Sequence, residues 1–141
     1  MAQAGYSGTP LAKKLGLKDG MAVAFVGLPP AHHGLTEAHG FLSVEVVDDW
    51  RRLAGDRLDY VHVFTDRADV VREALMSLKG IIKPEGMIWV SWPKRASKVP
   101  TDVTEDVIRN AALADVLVDV KVCAVDEVWS GLKLVIRKEH R

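Results

Sequence analysis

The run WPKRASK, residues 92–98, sets three cations, Lys94, Arg95 and Lys98, on one short stretch. Three such donors can grip a single phosphate or carboxylate, and the arginine offers two parallel N–H groups to it. Ser91 and Trp92 precede them and could add a hydroxyl and an aromatic floor. Pro93 and Pro100 stiffen both ends of the loop. The same residues also suit a solvated connector whose cations pair with Asp102, Glu105 or Asp106. A second anion candidate is GYSGTPLAKK, residues 5–14, where Ser7 and Thr9 stand before a helical pattern. Free N–H groups at a helix start attract anions, and Lys13 and Lys14 add charge. No strand leads into this stretch and it lacks the Gly-Lys-Ser/Thr ending of a Walker loop. Capping by Thr9 and packing of Tyr6 explain it equally.

His32, His33 and His39 share one polar segment with Glu37, while His62 lies in an apolar run. Adjacent histidines on a loop seldom converge as a metal requires, so no metal site is expected. Imidazole titrates near neutrality, which makes His32 or His33 a candidate general base. No nucleophile stands at a matching spacing, and GYSG is no nucleophile elbow because no strand precedes it. Cys123 alternates with Val122 and reads as a small buried side chain. At the tip of the C-terminal hairpin, Asp126, Glu127, Trp129 and Ser130 leave Trp129 as an exposed anchor for a partner.

The elements that would carry these groups follow from hydrophobic period. TPLAKKLG (9–16) predicts a short helix with Thr9 as cap, Pro10 at its first position and Gly16 at its end. MAVAFVGL (21–28) and MIWVSW (87–92) are apolar runs of the kind buried on both sheet faces, with KPEG (83–86) a turn before the second. Trp89 and Trp92 have opposite parity and must point to opposite faces. LSVEVVD (42–48) alternates weakly, as an outer strand does, and LDYVHVFTD (58–66) is mostly apolar. ADVVREALMSLKGI (68–81) and TEDVIRNAALADVL (104–117) show helical period, the latter turning Val107, Ile108, Ala111, Leu113 and Ala114 inward. Asp102 and Glu105 resemble a capping box. VDVKVCAVD (118–126) and GLKLVIRK (131–138) predict an antiparallel hairpin. Strands alternating with helices imply an α/β domain, Rossmann-like, with a mostly parallel sheet, helices on both faces and that terminal hairpin.

This order resembles the class I methyltransferase fold, and LKGIIKPEGMIWVSW looks like the segment in which a helix ends in Leu-Lys-Pro-Gly-Gly before an apolar strand. The resemblance implies that 21–28, 42–48, 58–65 and 87–92 are its first, second, fourth and fifth strands, with the third strand and a helix lost. More narrowly, GYSGTPLAKKLG, WPKRASKVPTDVTED and VKVCAVDEVWSGLK resemble a small bacterial family of unknown function, which supplies no activity. A methyltransferase of class I cradles S-adenosylmethionine with a glycine-rich loop after its first strand. Here that loop reads VGLPPAHHG: Gly27 remains, but Pro29 and Pro30 remove two donors. Asp48, about 20 residues on, stands where ribose hydroxyls would be held, and Asp66 ends the next strand.

With 141 residues, 48% hydrophobic and 27% charged, the chain reads as one globular domain spanning 1–141. Lys plus Arg and Asp plus Glu both number 19, so a dedicated nucleic-acid role is disfavoured. The single cysteine suits a reducing compartment, and neither a signal peptide nor a membrane span is visible, so the expected address is cytoplasmic. The sequence therefore points to a non-catalytic module that holds a small anionic ligand or a protein partner on the basic rim, with no cofactor. The alternative is an S-adenosylmethionine-dependent methyltransferase with an atypical cofactor loop. Self-association through the hairpin edge is a further expectation.

Overall fold

The structure is a computed structural model that describes residues 10–141, so the readings on Tyr6, Ser7 and Thr9 lie outside the described residues. Six strands form one sheet: β1 (Ala22–Val26), β2 (Ser43–Val47), β3 (Leu58–Phe64), β4 (Ile82–Pro93), β5 (Leu117–Ala124) and β6 (Trp129–Ile136). Their spatial order is β2-β1-β3-β4-β6-β5. The first four run parallel, while β6 is antiparallel to both β4 and β5. The expected α/β sheet with a C-terminal antiparallel hairpin is thus the fold the chain adopts. No helix among the described residues is long and apolar enough to cross a membrane.

The central strands read as apolar runs because both of their faces are covered. On one face lie α2 (Ala68–Leu78) and α3 (Glu105–Leu113). Val71, Ala74, Leu75 and Leu78 of α2, with Ile108 and Ala112 of α3, join Ala24, Val61, Val63, Ile88, Val90 and Trp92 in one core. The other face is covered more thinly, by α1 (Leu11–Lys14) and by a 3-10 helix at Pro30–Glu37. Leu15, Leu17 and Leu35 close there over Val23, Phe25, Tyr60 and Trp89. Trp89 and Trp92 therefore sit on opposite faces, as their parity requires. Pro29 and Pro30 start the 3-10 segment, where their fixed φ and missing N–H groups suit a tight first turn.

Several local readings are corrected. KPEG is no separate turn, because β4 already begins at Ile82 and a register shift against β3, between Leu58 and Tyr60, absorbs it. Pro10 is the N-cap of α1 rather than its first residue. In α3, Leu113 is 44% exposed and Ala114 is exposed, while Ala112 is buried, since a 3.6-residue period carries Ile108 on to 112 and not to 113. Thr104 caps α3 by accepting from the Val107 N–H at 3.1 Å. Asp102 instead reaches across to α2 and accepts from the Ala68 N–H at 2.7 Å. The outer edge strand β5 carries a register shift between Asp119 and Lys121, a device that blunts an edge against pairing.

The cross-element cap gives a direct test. Asp102→Ala leaves the first free amide of α2 without its partner and is expected to lower stability by about 1 kcal/mol in chemical denaturation. Asp102→Asn, which keeps an acceptor, should retain most of it.

Candidate functional site

In an open parallel sheet, ligands sit beyond the carboxyl ends of the strands where the chain order reverses. Here the reversal falls between β1 and β3, with β2 on one side and β4 on the other. Gly27 ends β1 with φ of 68°, and a Cβ built there would meet the Phe64 carbonyl oxygen at 2.7 Å. Glycine is therefore required by the close approach of β1 to the end of β3. Asp48 follows β2, is exposed, and makes no side-chain bond to another described residue. Thr65 and Asp66 follow β3; the Thr65 N–H donates to the Ser91 carbonyl at 3.0 Å, and the Asp66 carbonyl accepts from Thr101 Oγ1 at 2.7 Å. Asp66 is exposed.

The cluster predicted around WPKRASK separates. Ser91 is fully buried, and Trp92, 7% exposed, packs into the core under α2 and α3. Neither is open to a ligand at the rim. Lys94, Arg95 and Lys98 stay on the surface loop, which turns through a 3-10 segment at Arg95–Ser97 and leaves Lys98 left-handed with φ of 62°. Their suggested acidic partners are engaged elsewhere: Asp102 on α2, and Glu105 and Asp106 on Arg109. The Lys94 N–H ties the loop to the hairpin tip through the Val128 carbonyl at 2.8 Å. Trp129, expected to be exposed, is half-buried and meets Phe64 edge-on with centroids 5.3 Å apart.

Against S-adenosylmethionine these residues fit in one half only. The exposed Asp48, with no side-chain bond to another described residue, would suit ribose hydroxyls. The loop after β1 offers few amides to a methionyl tail. The Gly27 N–H already donates to the Val47 carbonyl at 2.8 Å, Pro29 and Pro30 have none, and the His32 N–H donates to the Pro29 carbonyl at 2.9 Å.

Two polar groupings were not legible as clusters in the sequence. Inside the sheet, Tyr60 Oη lies 2.7 Å from His62 Nδ1, and His62 Nε2 lies 2.7 Å from Ser91 Oγ. In the neutral ring one nitrogen donates and the other accepts, so the imidazole bridges the Tyr60 and Ser91 hydroxyls. Burial, with a smaller contribution from His32, lowers the His62 pKa to about 3, so the ring is neutral. Burial likewise holds the Tyr60 phenol well above its usual range. Gly131 makes room for this packing, since a Cβ there would approach Ser91 Oγ at 3.0 Å and Trp89 Cε3 at 3.2 Å.

At the rim, His32 Nε2 lies 2.7 Å from Asp126 Oδ2, joining the 3-10 helix to the hairpin tip across 94 residues. Asp126 also accepts the N–H groups of Val128 at 2.8 Å and Trp129 at 2.7 Å. Burial pushes its pKa up, but the hydrogen bonds from Trp129, His32 and Val128 prevail and hold it below the ordinary value. The His32 ring stacks on Phe64, centroids 6.3 Å apart, and Phe64 stacks on His62 at 4.2 Å. Asp126 in a DEVW turn is a readable turn signal, whereas its pairing with His32 is not.

The neutral His62 predicts a pH dependence. Its folded pKa lies below the unfolded value near 6.5, so its contribution is complete above that pH and is lost as pH falls toward about 3. Unfolding free energy should decline by roughly 1.4 kcal/mol per pH unit once pH is well below 6.5. Between pH 6.5 and 5, above the carboxylate range, His62→Gln should remove most of this slope in denaturation series.

No protein-family model matches the chain, and no curated protein matches it either. Solved structures do. The ribosomal protein L11 methylase of Lactobacillus delbrueckii is 13% identical with a TM-score of 0.59, over 90% of this chain and 75% of that one. A SAM-dependent methyltransferase from Aquifex aeolicus is 17% identical with a TM-score of 0.56, over 88% and 86%. A Haloferax volcanii complex of the Trm112 methyltransferase activator and a methyltransferase gives 12%, a TM-score of 0.55, and 93% and 88%. At these identities the likeness establishes the fold: a Rossmann-like sheet of the methyltransferase kind.

Proposed function

We propose that this chain binds S-adenosylmethionine at the carboxyl rim of its sheet, as a methyltransferase with an atypical cofactor loop. The observation that carries the reading is the reversal of strand order between β1 and β3, which sets Gly27, Asp48 and Asp66 on one rim. Similarity in fold to SAM-dependent methyltransferases supports it over a module without a cofactor. Bound there, the cofactor would offer an electrophilic methyl group. Asp48 would accept hydrogen bonds from ribose hydroxyls, and Gly27 would let the adenosine approach the end of β1 without a Cβ in the way. The methionyl tail would need donors from outside the loop after β1. The cations Lys94, Arg95 and Lys98 on the loop after β4 would hold an anionic substrate or partner. A protein activator of the kind seen with the Haloferax volcanii methyltransferase would fit the same reading.

A second reading, a non-catalytic binding module, is favoured by the Pro29–Pro30 pair and by the engaged Gly27 amide. Calorimetric titration with S-adenosylmethionine and S-adenosylhomocysteine separates the two. Binding is expected, and Asp48→Ala should weaken it about 10- to 100-fold, the loss of charge-assisted hydrogen bonds. Absence of binding to either compound would remove the methyltransferase reading and leave the module.

A further inference from the structure

A concave space lies away from Gly27, Asp48 and Asp66. A cleft of about 780 Å³ runs between α1 and the Pro30–Glu37 helix, and none of those three residues lines it. Its walls include Leu11, Leu17 and Leu35, its charged lining is Lys13 and Lys18, and His32 is part of the lining. Asp126 does not line the cleft. The cleft thus takes one member of the pair, His32, into its lining and not the other.

Asp126 determines what the imidazole presents. Its carboxylate is held by two backbone N–H groups and accepts from His32 Nε2 at 2.7 Å. With Nε2 as the donor, the neutral ring keeps its lone pair on Nδ1, which makes no hydrogen bond to a described residue. Stacking on Phe64 holds the plane of the ring. The other end of the cleft is set by the run of the 3-10 helix. His39, seven residues beyond His32, bonds Asp19 at 3.3 Å, and Asp19 adjoins Lys18. At about 2 Å rise per residue, His32 and the last residue of the helix, Glu37, are on the order of 10 Å apart, with His39 two residues beyond. An acceptor for a hydroxyl thus stands at one end, apolar walls between, and cations toward the other.

We infer that this cleft is a binding site for a slim hydroxy acid with an apolar body, its hydroxyl donating to His32 Nδ1 and its carboxylate meeting Lys13 and Lys18. The cleft takes Ala31, His32 and Gly34 from the loop after β1 but none of Gly27, Asp48 and Asp66, and it is tested without S-adenosylmethionine.

The probe is 4-hydroxycinnamate, titrated by calorimetry into the full chain, beside cinnamate, which lacks the hydroxyl, and methyl 4-hydroxycinnamate, which lacks the charge. 4-Hydroxycinnamate should bind about tenfold more tightly than either analogue, the effect of one hydrogen bond or one ion pair. Asp126→Asn keeps a side-chain oxygen for the Val128 and Trp129 amides, so the turn survives. It also removes the carboxylate that selects the His32 tautomer, and the preference for the hydroxyl should shrink to within about twofold. The Lys13→Met, Lys18→Met double variant should abolish the preference for the free acid and leave that for the hydroxyl. Thermal melting checks that each variant folds. Equal affinity of the wild type for 4-hydroxycinnamate and cinnamate, or no binding at about 5 mM, overturns the assignment.

Discussion

The constraint on which the rest of this structure depends is that β3 and β4 are buried on both faces yet carry polar side chains inward. Apolar alternation meets that requirement almost everywhere, but His62 and Ser91 stand in the middle of the sheet with no exposed surface. An unpartnered imidazole there would cost a large fraction of a small protein's stability. The cost is avoided because Tyr60 stands two residues earlier on the same face and Ser91 lies on the adjoining strand. Each polar atom of the imidazole then has its partner, and the ring stays neutral. Gly131 on β6 completes the arrangement by leaving the volume that Ser91 and Trp89 fill.

From that packed centre outward, the two faces are unequal. α2 and α3 bury one face with regular helical ridges, helped by Asp102 capping its neighbour. The opposite face receives a four-residue helix and a 3-10 helix. A 3-10 helix is narrower and covers less area per residue than an α-helix. The space beside it is the cleft that His32, Lys13 and Lys18 line. The prolines that deprive the loop after β1 of amide donors thus also produce the shape of that cleft.

The rim shows how one set of backbone bonds can limit a site. Gly27 could have donated to a ligand, but its amide closes the β1–β2 register onto Val47. Asp48, one residue on from that bond, makes no side-chain bond to another described residue. The rim therefore offers side chains more than backbone donors, the reverse of a glycine-rich arrangement.

Most of the fold was legible in the residues. Continuous apolar runs at 21–28 and 87–92 marked strands covered on both sides, and the parity of Trp89 and Trp92 placed them on opposite faces. These are local statements about period, and a chain of 3.6- or 2-residue repeats has little freedom to evade them. Asp48 and Gly27 were visible for the same reason, since strand ends place them. The burial of Ser91 and Trp92, the capping of α2 by Asp102, and the meetings of His32 with Asp126 and His62 with Ser91 were decided by tertiary structure alone. Each joins residues far apart in the chain through strand register or a loop's direction of return, and neither has a local signature. A side chain's type announces what it can bond; only the packed sheet determines which partner comes within reach.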